Sequence, residues 1–236
     1  MSAFSEANRQ AFNDLSSTYN SQPWQQKISQ QVSNALRERK DWIGIDWASS
    51  SEGANKREVK LLDYGNITQA LLPYVTTVKG IDLSEKMVEE YNRAASTSGI
   101  PPEQALAVVG DLCSASTDIS DHFRKPEWYS FDLAVIGLGF HHFEDPGLAV
   151  QRLSERLRKG GVLVIVDFLP FGSEERDMGE MAKTIKHDGF TREGMERLFG
   201  DGGMGEVRFD VVGDVTMELK KGTVVRKMFV ARAEKL

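Results

Sequence analysis

The stretch Val59-Lys60-Leu61-Leu62-Asp63-Tyr64, followed by a helical pattern over residues 68–74 and then Val75-Thr76-Thr77-Val78-Lys79-Gly80-Ile81-Asp82, decides the fold. Two short aliphatic runs with a helix between them are not a hairpin; they are parallel strands joined by a crossover. Working outward, the same rhythm continues. A helical pattern spans residues 84–99, and short β-branched or aliphatic runs fall at 105–109, 131–138 and 161–169, with a helix over 146–158. Such βαβα alternation predicts a doubly wound, mostly parallel α/β sheet with helices on both faces. The last sixty or so residues change rhythm: a helix over 191–199, then alternating runs at 207–219 and 223–233 around Lys220-Lys221-Gly222, which predict an antiparallel hairpin on the edge of the sheet.

Upstream, residues 1–20 are polar with scattered aromatics (Phe4, Phe12, Tyr19) and read as an arm without a helical period. Pro23 opens an amphipathic helix whose stripe Trp24, Ile28, Val32, Leu36 reads as a face packed on a core. The polar run at 49–56 reads as a linker, so the expected division is a helical arm and linker at 1–57 and one domain at 58–236.

Composition narrows the function classes. The chain has 236 residues, 40% hydrophobic and 27% charged, a balance that supports a buried core and excludes disorder throughout. Its net charge of −6, without a basic cluster, argues against duplex nucleic acid as the main partner. The single Cys113 excludes an internal disulfide and any Cys-rich zinc site, and reads as a small buried hydrophobe. No apolar run reaches the roughly eighteen residues of a membrane span, and the sequence shows no basic leader followed by an apolar h-region, so an intracellular protein, cytoplasmic or nuclear, is expected. No metal site is expected.

In an open parallel sheet, ligands sit beyond the carboxyl ends of the strands, near the switch in strand order. Four such ends stand out: Asp63-Tyr64-Gly65, Gly80-Ile81-Asp82-Leu83-Ser84, Val109-Gly110-Asp111-Leu112, and Gly139-Phe140-His141-His142-Phe143. Together they outline a nucleoside pocket, with Asp82 placed to accept from ribose hydroxyls. Asp63 reads equally as a structural acid fixing the first loop or as a ligand.

These motifs resemble the class I S-adenosylmethionine-dependent methyltransferases, in particular the small fungal and ubiquinone-biosynthesis-like ones. The likeness covers residues 58–171 strongly and the C-terminal part loosely. It implies S-adenosylmethionine as cofactor, with Asp63, Gly65, Asp82, Leu83, Asp111, Leu112 and Tyr19 on the cofactor. Asp111 would accept from the adenine amine, and Leu83 and Leu112 would wall the base. Phe131-Asp132-Leu133 and the Leu157-Arg158-Lys159-Gly160-Gly161 turn match later family segments. One departure is plain: the family's first loop reads like Asp-x-Gly-x-Gly-x-Gly, whereas here Asp63-Tyr64-Gly65 runs straight into Asn66-Ile67, roughly four residues short of the glycines that let the backbone approach a ligand.

His141 and His187 are the candidate catalytic residues, since histidine can take a proton near neutral pH and both follow strand ends on the presumed acceptor side. Structural roles stand beside these: one of His141 and His142 packs against the sheet while the other helps start the helix near Asp145-Pro146, and His187 is a solvated loop histidine. Met178, Met181, Met195 and Met204 read as packing residues. The expected function is methyl transfer to an O, N or C nucleophile, most simply of a small molecule, with a protein acceptor or partner subunit also open. The other reading is a pseudo-methyltransferase, a binding or scaffold subunit whose shortened loop has lost the cofactor. A nicotinamide-dependent dehydrogenase would share the fold, but no tyrosine is followed four residues later by lysine.

Overall fold

A computed structural model of the 236-residue chain describes all residues except 1, 20–21, 49–56, 66–67, 114–119, 173–179 and 220. The linker at 49–56, the charged residues Glu174, Glu175, Arg176 and Asp177, Met178, Lys220 and the first-loop residues Asn66 and Ile67 therefore lie outside the described residues.

Seven strands form one sheet: β1 (Lys60–Tyr64), β2 (Thr77–Asp82), β3 (Ala105–Val109), β4 (Phe131–Gly137), β5 (Leu157–Phe168), β6 (Met204–Leu219) and β7 (Gly222–Lys235), in the order β3-β2-β1-β4-β5-β7-β6. The first five are mutually parallel, and β7 runs antiparallel to β5 and to β6. The order reverses between β1 and β4, which places the switch point at Asp63–Gly65 and Leu138–His142.

The strands are buried on both faces, and their alternation divides the core. Leu61, Leu133, Val135, Val162, Val164 and Val166 point into one cluster; Leu62, Ala134, Ile136, Leu163 and Ile165 point into the other. Seven helices accompany the sheet among the described residues: α1 (Ala3–Tyr19), α2 (Pro23–Glu38), α3 (Lys40–Ile43), α4 (Thr68–Leu71), α5 (Glu85–Thr97), α6 (Pro146–Arg156) and α7 (Arg192–Asp201). Their starts follow the sequence. The side chains of Ser84, Asp145 and Thr191 accept from Met87 N, Leu148 N and Gly194 N and so cap α5, α6 and α7.

The N-terminal arm is helical, as expected, but its first helix is one that no sequence period marks. Residues 3–19 form a helix although they lack a clean apolar stripe, because polar anchors described below hold it. The helix α2 buries Ile28, Val32, Ala35 and Leu36 in the same cluster as β1, β4 and β5, as its stripe predicts. Arg232, 2% exposed on β7, donates to Ile43 O at 3.0 Å and ties α3 to the sheet.

Three boundaries also move. The helix expected over 146–158 ends at Arg156, and the Leu157–Gly161 turn is instead the opening of β5, where Leu157 pairs with Phe131. A Cβ at Gly161 would stand 2.8 Å from Phe131 O, so only glycine lets that strand pair. The helix expected over 68–74 shrinks to the single turn α4 and a 3-10 turn at Leu72–Tyr74. The hairpin is longer than its alternation suggests, and its two irregularities, between Gly205 and Arg208 and between Val211 and Gly213, explain why the period is broken there.

Candidate active site

Strand ends β1, β2 and β3 gather one group of polar residues. Asp82 closes β2, and its Oδ1 accepts from Ser84 N at 2.8 Å. Burial outweighs that bond and a second from Leu83 N, and its carboxyl is pushed up to about 6. Asp111 Oδ1 accepts from Cys113 N at 2.9 Å and from the Tyr64 hydroxyl at 3.4 Å. Burial holds the Tyr64 phenol well above its ordinary range, so Tyr64 is a neutral donor. Leu112 is buried and Leu83 half-buried. Gly110 leaves no room for a side chain, since a Cβ would meet the Phe123 ring at 2.2 Å. Gly65 turns at φ +124° beside the backbone of Gly137, a conformation that favours glycine. Asp63 is 1% exposed, paired across to Gly80 and Val135 inside the sheet.

Strand ends β4 and β5 gather a second group. The 3-10 turn Phe140–His142 places His141 against Asp167, the penultimate residue of β5. His141 Nδ1 lies 2.8 Å from Asp167 Oδ1, and His141 N donates to Asp167 Oδ2 at 3.0 Å. The His142 ring stands 4.1 Å from that of His141, and its Nδ1 lies 2.8 Å from Thr184 O. A carbonyl only accepts, so this Nδ1 carries the proton and Nε2 the lone pair. Burial and the neighbouring His141 keep His142 well below the usual histidine range, hence neutral. His187 Nε2 donates to Phe143 O at 3.1 Å, and its ring rests on Phe190.

The helix α1 spans both groups with one face. Asn8 donates to His142 O at 3.1 Å, and Phe12 meets the His142 ring edge-on at 5.3 Å. One residue further round, Arg9 grips the Glu85 carboxylate at 2.7 and 2.8 Å, and Asn13 donates to the same carboxylate at 2.8 Å. Asn13 Oδ1 accepts from Ser84 Oγ at 2.6 Å, which continues the α5 cap beside Asp82. The Asn13 and Arg9 bonds hold Glu85 down at about 2. Tyr19 ends α1, and its side chain lies outside the described residues.

The structure thus brings together Asp82, Leu83, Asp111, Leu112 and Gly65 on one side and His141, His142 and His187 on the other. Asp63 stays inside the sheet. Two cavities, of about 230 Å³ beside α5 and the start of β3 and about 300 Å³ between α2 and the hairpin, lie away from both groups. Asp167, Asn8, Arg9, Asn13 and Tyr64 went unread in the sequence. Asp167 had a signal: a lone acid inside the apolar run 162–168 needs a partner.

Residues 63–165 match the family model for a methyltransferase domain. Over these residues the chain is similar to a methyltransferase domain. The matched region runs from the end of β1 to the middle of β5, so it includes the switch point and both groups' strand ends except that of β5. An uncharacterized methyltransferase of Schizosaccharomyces pombe is 31% identical over 153 residues, which are 61% of this chain and 52% of that protein. The chain therefore spans about half the length of that curated relative. Among solved structures, the putative methyltransferase of Haloferax volcanii in complex with the Trm112 activator superposes with a TM-score of 0.63 at 14% identity, covering 96% of each chain. A SAM-dependent methyltransferase of Thermotoga maritima, described as a possible histamine N-methyltransferase, gives 0.60 at 16% identity over 97% of this chain and 99% of that one. These two likenesses establish the fold. Among the described residues, no helix is long and apolar enough to cross a membrane.

Proposed function

We propose that this protein is an intracellular S-adenosylmethionine-dependent methyltransferase acting on a small-molecule acceptor, with residues 58–236 as the catalytic unit and 1–57 as the arm that closes on it. The observation that carries the reading is the partly buried Asp82 carboxyl at the end of β2, next to the capped start of α5, where a ribose would present its hydroxyls.

The nucleoside end of the cofactor fits the residues present. Asp82 would accept from the ribose; Asp111, whose Oδ1 takes Cys113 N, would accept from the adenine amine; Leu83 and Leu112 would wall the base, and Gly65 leaves the β1 end without a side chain. The methionine end fits less well, because α4 is a single turn and offers few N–H groups. Weak binding is expected from the loop as written. When bound, S-adenosylmethionine supplies a methyl group already activated by its sulfonium, so the chain has chiefly to align the acceptor and receive its proton. His141 is assigned that proton. His187 is assigned to the acceptor wall, and changing His187 or Tyr19 is expected to lower turnover more than donor affinity. The complex of the Haloferax relative with an activator supports testing for a partner subunit as well.

Calorimetry with S-adenosylhomocysteine tests the reading: Asp82→Ala should weaken binding by about 1.5–3 kcal/mol, the scale of a hydrogen bond to a charged group. Unchanged affinity removes Asp82 from the site, and no binding by the parent even with a restored glycine loop overturns the reading as a whole.

A further inference from the structure

Asp167 is 0% exposed, in a strand whose residues 162–168 are otherwise aliphatic or aromatic. Its carboxylate receives three N–H groups: His141 Nδ1 at 2.8 Å and Phe168 N at 2.7 Å on Oδ1, and His141 N at 3.0 Å on Oδ2. One bond fixes where the histidine backbone stands, and another fixes how the ring is turned. A carboxylate oxygen only accepts, so Nδ1 carries the ring proton and Nε2 keeps its lone pair. Among the described residues the hydrogen bonds of His141 run through its backbone and Nδ1, and none through Nε2. Simple attachment of this turn does not need the pair, because His141 O already accepts from Lys186 N at 2.9 Å and His187 N at 3.1 Å. The surroundings are aromatic: Phe168 lies 5.7 Å from the His141 ring, and Phe171 lies 6.5 Å from Phe168.

Resting on the methyl-transfer reading above, we propose that Asp167 is a positioning residue that holds His141 as a base through Nε2, and that the acceptor is a phenolic or enolic hydroxyl. A thiol, at about 8.5, ionises substantially by itself, whereas a phenol near 10 keeps its proton at neutral pH and gains most from a fixed base. A flat acceptor also matches aromatic walls. In the step, an oxygen lone pair forms the O–CH₃ bond, the C–S bond breaks with its electron pair going to sulfur, and the hydroxyl proton passes to His141 Nε2. The resulting imidazolium lies against Asp167 and later releases its proton to water. The other ionisable groups around His141 are His142 on the same turn, Arg226 from β7 over the Phe168 ring, and Lys186 and His187 on the segment bonded to its carbonyl.

The test uses the whole chain without donor. Nitrogen-15 imidazole spectra should show His141 as the Nδ1–H tautomer in the parent and a mixed or reversed tautomer in Asp167→Asn, whose amide must turn a donor toward one of the two His141 N–H groups. 4-Nitrophenol is then added at a pH where the free phenol is mostly protonated. The parent should bring up the visible phenolate band, and Asp167→Asn should lose it at least tenfold. If that variant does not fold, His141→Gln, which leaves both backbone N–H bonds to Asp167 possible, should lose the band equally. An Nε2–H tautomer in the parent, no phenolate band in the parent, or an undiminished band in the variants overturns the proposal. S-adenosylhomocysteine calorimetry on the same proteins separates failure of the methyl-transfer reading, which abolishes donor binding and leaves the tautomer result intact.

Discussion

The two halves of the carboxyl edge are held by different means. On the β1–β3 side, the acids satisfy their own turns: Asp82 takes Ser84 N and Asp111 takes Cys113 N, each two residues ahead. On the β4–β5 side, the bonds span the chain, from His141 to Asp167, His142 to Thr184 O and His187 to Phe143 O. A locally satisfied acid can turn to a ligand at small expense to the fold, whereas a side chain satisfied across the sheet is part of the fold. The donor half is therefore the tolerant one and the acceptor half the preorganised one.

The strongest way to break this contrast is to truncate one acid on each side. Asp167→Ala strands three buried N–H groups and should lower unfolding stability by about 3–5 kcal/mol in a urea titration, the scale of a broken buried pair. Loss from Asp82→Ala as large as that would erase the distinction. A glycine-rich insertion of about four residues between Tyr64 and Asn66 addresses the donor half directly. It should strengthen S-adenosylhomocysteine binding by roughly 1.5–3 kcal/mol, one or two charge-assisted bonds, with stability little changed; equal affinity before and after would show that another segment holds the methionine end.

A smaller effect comes from pH. Burial raises the Asp82 carboxyl from 3.8 to about 6, so the folded chain holds that proton more tightly than the unfolded one. The stability it contributes is full below 3.8 and is lost as pH rises through about 6. Asp82→Asn should accordingly gain on the order of 1 kcal/mol at pH 8 and nothing at pH 3.5, while ligand affinity in the parent falls as pH drops below about 6. The smallest effect is expected at α1. Glu85 sits near 2 instead of 4.5, so its hold on Asn13 and Arg9 is complete above 4.5 and fades as pH falls toward 2. Hydrogen exchange over residues 3–19 should quicken between pH 5 and pH 2.5, and Arg9→Ala should quicken it already at pH 7, without a change in the global melting temperature.

Amphipathic period, strand-end acids and cap residues determined much of this protein before any folding. The stripe of α2, the parallel order through β5, the C-terminal hairpin, and Asp82, Asp111 and His141 as residues beyond strand ends were all legible, because each depends on a local spacing of two or about 3.6 residues, or on what directly follows a strand. A helical arm was expected, but the structure alone decided where residues 3–19 dock, since Asn8, Arg9 and Asn13 find their partners at His142, Glu85 and Ser84, more than seventy positions away. It alone decided that Leu157 opens a strand, because pairing with Phe131 outweighs the turn signal of Gly160-Gly161. Asp167 belongs with these. Its spacing in β5 shows only that it is buried, and 26 residues separate it from the imidazole whose proton it fixes, a distance that only the sheet closes.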